Sequence, residues 1–145
     1  MVQEEGKQME YPIEGSCQCG QVTYKLSEPP KAVVACHCTE CQKMSTGPFS
    51  ITAVVATGAI EFHGDLKEWS RVADSGNKNC AKFCPDCGNR VYHYNPDDME
   101  TIKLKLKPVN LSDDSIFAPT AHIWVSEKQS WYQIPEGVKV FDKQP

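Results

Sequence analysis

Phe83-Cys84-Pro85-Asp86-Cys87-Gly88 is the stretch from which the rest of this chain is best read. Two cysteines stand two residues apart, with Pro after the first and Gly after the second. Pro pre-sets a turn and Gly tolerates the left-handed backbone that closes it, so the segment predicts a tight knuckle. Its backbone N–H groups can then point at the sulfurs and favour their charged form. Thiolates this close in the chain can reach one small soft cation together. They are poorly placed to bridge each other, because a disulfide demands particular Cα separations and Cβ directions. A redox Cys-x-x-C normally sits between a strand and a helix, and nothing after Gly88 looks helical. The knuckle therefore predicts half of a zinc site.

A closed structural zinc needs four ligands. Working outward, Cys17-Gln18-Cys19-Gly20 is the natural partner, a second pair that is also followed by Gly. In a strand, positions i and i+2 point the same way, so both sulfurs can face one ion. Such a site would clip together segments far apart in sequence, where chain-closure entropy makes a clip most useful. Cys36-His37-Cys38-Thr39-Glu40-Cys41 then stands alone with its own sulfurs. Three protein ligands on a tetrahedral ion leave one position open, which marks a catalytic site. The alternative is a closed second site, with Cys80 or His37 as the fourth ligand. His37, between two ligands, is expected to point away from the ion, and Cys80 to be a buried, inert thiol.

The chain has 145 residues, enough for one domain, and the division expected is a polar tail over residues 1–11 and a single zinc-binding domain over 12–145. An apolar fraction of 40%, with ten prolines and nine glycines, implies many turns and a modest core that metal staples would strengthen. A net charge of -4 argues against a nucleic-acid partner, which needs a basic footprint. Residues 1–8 carry no apolar signal-peptide segment, and Ile51 to Ile60 is too short and broken to span a bilayer. The expectation is a cytoplasmic protein without a membrane partner, in a compartment where clustered cysteines bind metal or do redox work.

The strand signal dominates. Val22, Tyr24 and Leu26 alternate with polar residues; Phe49 to Val55 and the stretch around Ile60 and Phe62 are rich in strand formers. Val91 to Tyr94 and Ala121 to Val125 are further strands. Lys103-Leu104-Lys105-Leu106-Lys107 alternates, and its lysines are expected on a solvated, edge-protecting face. Thr39 to Ser45 has room for one helical turn. The fold class expected is mainly β, in several short antiparallel sheets.

Ligand type then suggests chemistry. Three thiolates leave zinc a weak Lewis acid, poor at making hydroxide. Such an ion should favour a soft fourth ligand, such as a substrate thiol bound as thiolate, and a thiolate attacks an aldehyde carbon well.

Gly15 to Tyr24, Cys36 to Lys43, Thr46 to Ser50 and Phe83 to Gly88 together resemble the glutathione-dependent formaldehyde-activating family, which includes centromere protein V. The similarity runs from about Gly15 to Trp131, with the motifs in family order. It implies a β-tent fold of packed antiparallel sheets. It implies that Cys17, Cys19, Cys84 and Cys87 hold a structural zinc. It implies that Cys36, Cys38 and Cys41 hold a second, catalytic and easily lost zinc, making two per chain. The implied reaction is a carbon–sulfur lyase chemistry, the condensation of glutathione with formaldehyde. A small thiol and an aldehyde would be the partners. Two other readings compete: a non-enzymatic zinc-stabilised binding module, and a thiol redox sensor.

Glutathione carries two carboxylates, so its site should offer cations or N–H donors. Lys43, Arg71, Lys82 and Arg90 are the basic residues nearest the motifs. Phe49 is expected in the core or walling the site. His63, His93 and His122 lack ligand spacing, and Trp124 and Trp131 are expected to pack with their N–H groups satisfied.

Overall fold

A computed structural model describes residues 10–145, so residues 1–9 of the expected tail lie outside the described residues. The elements are β1 (Ile13–Ser16), β2 (Thr23–Leu26), β3 (Ala32–Cys36), α1 (Thr39–Ser45), β4 (Ser50–Ala56), β5 (Ile60–His63), β6 (Lys67–Val72), β7 (Lys78–Phe83), β8 (Arg90–Asn95), β9 (Asp98–Leu104), β10 (Ala121–Ile123) and β11 (Lys139–Val140). Short 3-10 turns occupy Thr57–Ala59, Asp114–Phe117 and Val125–Glu127. The fold is mainly β, as the alternation predicts.

Two sheets form, one in the order β1-β2-β5 and one in the order β11-β10-β3-β4-β9-β8-β7-β6. The first is antiparallel throughout. The second is antiparallel from β3 to β6, but β10 runs parallel to both β3 and β11. That parallel edge brings the chain from the far end of the molecule back beside Cys36, since Ile123 pairs with Cys36.

Pleating divides the work of the large sheet between its faces. Ala53 pairs with Val33 and with Leu104, and Val55 with Ile102. These side chains are buried and pack against Ile13, Tyr24 and Leu26 of the small sheet, forming the main core. Each such fully buried aliphatic side chain contributes about 1.5–3 kcal/mol. The opposite face of the same strands is polar. Cys36 pairs with Ser50 and Val34 with Thr52, so Cys36, Ser50 and Thr52 share that face. Both hydroxyl residues are nonetheless buried, so their polar atoms need partners.

The lysine ladder departs from expectation. β9 ends at Leu104, and the N–H groups of Lys105 and Leu106 both donate to the Val91 carbonyl, at 2.9 and 3.1 Å. The strand bond pattern therefore breaks where the alternation was to continue. Lys103 and Lys107 are exposed, but Lys105 is half-buried, and its ammonium donates to Thr52 Oγ1 at 2.5 Å and to Ser50 Oγ at 3.3 Å. Those bonds satisfy the two buried hydroxyls and put a cation on the face that carries Cys36.

Candidate functional site

The knuckle forms as its residues demand. Cys84 ends up between β7 and β8, and Gly88 donates its N–H back to the Cys84 carbonyl at 2.9 Å. Gly88 sits at φ 81°, the left-handed region closed to most side chains. The first pair copies this local design: Gly20 donates to the Cys17 carbonyl at 3.0 Å and sits at φ 82°. Cys17 and Cys19 thus lie in a turn after β1, not in a strand. A turn brings both sulfurs to one point, whereas a continuing strand would have carried Cys19 onward along the sheet.

Cys17, Cys19, Cys84 and Cys87 place their sulfurs within 4.8 Å of one another. Cys19 Sγ lies 3.7 Å from Cys17 Sγ and 3.7 Å from Cys84 Sγ. A tetrahedral zinc with bonds near 2.3 Å requires sulfur separations of about 3.8 Å, so this donor set fits such an ion. The separations are far too long for disulfides. Donors aim at the sulfurs: Val22 N–H at Cys17 (3.3 Å), Asp86 N–H at Cys84 (3.4 Å) and the Gln21 amide at Cys84 (3.2 Å). Burial raises the Cys17 thiol, but the Val22 N–H and the neighbouring sulfurs outweigh it and bring it down to about 6. Cys84 is lowered too; burial opposes the shift, and the N–H groups of Cys87 and Asp86 overcome it. Val22 and Val91, with Phe62, Leu66 and Leu106 beside them, form an apolar collar around this cluster.

The second cluster is local. Cys36 ends β3, Cys38 caps α1 by accepting from the Cys41 N–H at 3.4 Å, and Cys41 lies in the first turn of α1. Their sulfurs also lie within 4.8 Å of one another, so these three could hold a metal ion. The loop is pinned from the far end of the chain. Glu127 Oε1 accepts from the Thr39 N–H at 2.7 Å, and the Gln42 amide donates to the carbonyls of His37 (2.7 Å) and Glu127 (2.9 Å). Among the thiols, Cys41 is pulled down to about 2, first by its contacts with Cys36 and Cys38 and then by the Lys105 ammonium and the Ser50 hydroxyl. Cys36 is pushed up by Cys38 and Cys41 and by burial. The Lys105 ammonium and the Ser50 hydroxyl thus both favour a charged Cys41.

Neither candidate for a fourth ligand joins this cluster. The His37 ring is buried and turned away; its Nε2 lies 2.8 Å from His122 Nδ1, and it packs on Phe49 and Tyr132. Burial lowers both histidines, His37 and His122. Cys80 is a buried thiol on β7 that takes a hydrogen bond from Ser70 at 3.3 Å, outside both clusters.

A cavity of about 430 Å³ is lined by Ser50 and Lys105, which both act on Cys41, by Phe49, Arg90 and Lys107, and by Gly88 and Asn89 of the knuckle; no clustered cysteine and no acidic side chain is in its wall. Of the four basic residues singled out from the sequence, only Arg90 lines it. Lys43 pairs with Glu40, and Lys82 with Glu68. Lys105 and Lys107 were missed, because their alternation reads as a solvated strand face. Phe49 both walls the cavity and packs on His37 and His122. Trp124 donates to Gln144 at 2.8 Å, as expected of a packing residue, whereas Trp131 is exposed.

Comparison with known proteins bears on this geometry. Residues 12–127 match the family model described as glutathione-dependent formaldehyde-activating enzyme. No curated protein matches the chain. The crystal structure of a Rhodobacter sphaeroides protein is similar with a TM-score of 0.50 at 19% identity, covering 64% of this chain and 84% of that one. At that identity the likeness speaks to the fold alone.

Proposed function

The chain belongs to the glutathione-dependent formaldehyde-activating enzyme family, and from that premise we propose that it is a zinc-dependent carbon–sulfur lyase. Its substrates would be a small thiol such as glutathione and formaldehyde or another small aldehyde. The observation that carries this reading is a three-sulfur cluster linked through Ser50 and Lys105 to a cavity whose charged wall residues, Arg90, Lys105 and Lys107, are all basic. In it, residues 12–145 are one zinc-binding domain, working in the cytoplasm, whose reducing conditions suit seven metal-binding thiols.

Cys17, Cys19, Cys84 and Cys87 would hold a structural zinc, with every position taken by sulfur. Cys36, Cys38 and Cys41 would hold the catalytic one. When bound, that zinc supplies an open position at which a thiol ionises at neutral pH. The remaining work belongs to the chain. The Lys105 ammonium, fixed by Thr52 and Ser50, offsets the negative charge that gathers around Cys41. Phe49 closes one side of the cavity and limits water. The substrate sulfur attacks the aldehyde carbon, a carbon–sulfur bond forms, and the carbonyl π pair moves onto oxygen. The proton released by the thiol ends on that oxygen, giving a hydroxymethyl thioether. Lys105, being cationic and held still, is suited to steady the developing alkoxide. Cleavage is the same path reversed.

X-ray absorption on fully zinc-loaded protein, with and without glutathione, tests the reading. Glutathione should add one sulfur to the second zinc, and Cys41→Ser should abolish the change. A coordination shell unchanged by glutathione, together with no acceleration of hydroxymethyl exchange by ¹³C NMR, would leave only a zinc-stabilised binding module.

A further inference from the structure

The cavity is lined by cations that no carboxylate among the described residues pairs with. Among the described residues, Arg90, Lys105 and Lys107 form no salt bridge, and Lys105 bonds only to hydroxyls. Unpaired cations gathered in one concave space are what a carboxylate would satisfy.

Arg90 is also aimed. Its Nη1 lies 3.0 Å from His93 Nε2, and its Cζ stands 5.5 Å from the centre of the Trp69 ring. A guanidinium can only donate, so His93 Nε2 must accept, which requires a neutral imidazole carrying its proton on Nδ1. Burial, and then the charges of Lys105 and Arg90, hold His93 down to about 3, so that tautomeric role persists at neutral pH. One nitrogen of the fork is thereby tied down and one flank of the plane is occupied by Trp69. The remaining N–H donors keep the planar fork that matches a carboxylate. Lysine at this position could neither stack on Trp69 nor bond His93 and a carboxylate in one plane.

We propose that Arg90, positioned by His93 and Trp69, forms with Lys107 a carboxylate-reading subsite that selects anionic thiols over neutral ones. The proposal rests on the thiol–aldehyde reading for its occupant, but it concerns the carboxylate end of the substrate and not the reacting sulfur. The cation nearest the sulfurs, Lys105, is left for the reacting end. Arg90 and Lys107 take the tail of the molecule and so set its register in the cavity.

S-methylglutathione tests the subsite apart from the chemistry, because its sulfur cannot ionise. With zinc-loaded protein, calorimetry or NMR titration should show S-methylglutathione binding, and its diethyl ester should bind at least about tenfold more weakly, as loss of a charge-assisted hydrogen bond entails. Arg90→Met should remove most of that preference, and Arg90→Lys should restore little of it. His93→Phe should raise KM for glutathione with kcat nearly unchanged, and should leave KM for 2-mercaptoethanol, which has no carboxylate, where it was. Should Arg90→Met disturb folding, Lys107→Met, at an exposed position, should still cut the preference. Equal binding of acid and ester by the wild-type protein, no binding of S-methylglutathione, or a preference untouched by both substitutions would overturn the subsite. Cys41→Ser separates the two ideas: it should end thiol chemistry and leave S-methylglutathione binding intact.

Discussion

The two cysteine clusters are built from the same element and set in opposite surroundings. The first joins Cys17 and Cys19 to Cys84 and Cys87, two turns 65 positions apart in the chain. The second draws Cys36, Cys38 and Cys41 from a single strand-to-helix turn. Closing a long loop removes much chain entropy from the unfolded state, whereas closing a turn of six residues removes little. The surroundings differ in kind as well. Backbone N–H groups, one amide and an apolar collar adjoin the first cluster, although its Cys19 is exposed. A lysine and two hydroxyls adjoin the second and lead from it to a cationic cavity. Span suits the first cluster to hold the fold, and locality with a cationic cavity at hand suits the second to meet a ligand.

The largest expected effect comes from breaking the long clip. Structural zinc sites carry apparent binding energies of about 10–16 kcal/mol, comparable with the whole stability of a small domain. Cys84→Ser should therefore abolish cooperative unfolding and collapse NMR dispersion at 25 °C, and Cys17→Ser should do the same. Cys41→Ser should instead keep the folded spectrum and a Tm within a few degrees of wild type. It should lose one zinc by metal analysis and its thiol chemistry by at least about 10³-fold. Equal melting losses in the two classes would erase the division of labour.

The next contrast lies in Lys105, for which the first cluster has no counterpart. Lys105→Met keeps the side chain's length and removes its charge, so Cys41 loses the cation that helps hold it ionised. Exchange of hydroxymethyl groups should slow about 10–100-fold, and the second zinc should come off at lower chelator concentration. The Tm should move little, since burying an ammonium is itself costly and its loss offsets the orphaned Ser50 and Thr52 hydroxyls. A large drop in Tm with unchanged exchange would make Lys105 a structural residue.

These contrasts were unequally legible in the sequence. Pro85 and Gly88 announce a turn, and four sulfurs in two such turns announce a closed site, because the cause is local and the spacing carries it. Strands such as Thr23–Leu26 announce themselves by alternation, since one buried face suffices to set the period. Lys105 was hidden by the same logic. Its alternation with Leu104 and Leu106 is real, but β9 ends one residue earlier and the Val91 carbonyl takes two donors there. The pairing of Arg90 with His93 was hidden for a related reason. Residues i and i+3 on a strand do not share a face, and the ladder shifts register beside each of them, between Lys82 and Phe83 on the partner strand and between His93 and Asn95. Strand β10 was legible within Ala121 to Val125, but its parallel pairing with β3 and β11 leaves no mark in sequence, because three residues carry no information on their partners. Irregular backbone, which no propensity forecasts, is what built the second site's cationic wall.

The smallest expected effect is a pH dependence confined to that wall. His93 is buried, and its folded value of about 3 lies well below the ordinary 6.5. Below pH 6.5 the unfolded chain therefore binds a proton that the folded one refuses, and stability falls as pH falls toward 3. Between pH 7 and pH 5 this one group should cost wild type up to about 2 kcal/mol, 1.5 pKa units at 1.36 kcal/mol each. His93→Gln can still accept from Arg90 through its amide oxygen but has no proton to take up. Urea midpoints at both pH values, with zinc saturating, should thus drop further for wild type than for His93→Gln. Any acid-induced loosening of the cysteine clusters is common to the two proteins and cancels in the difference. Parallel profiles would mean that His93 is free to charge in the folded state. The Arg90 guanidinium would then face an imidazolium, and the hydrogen bond that aims it could not exist as drawn.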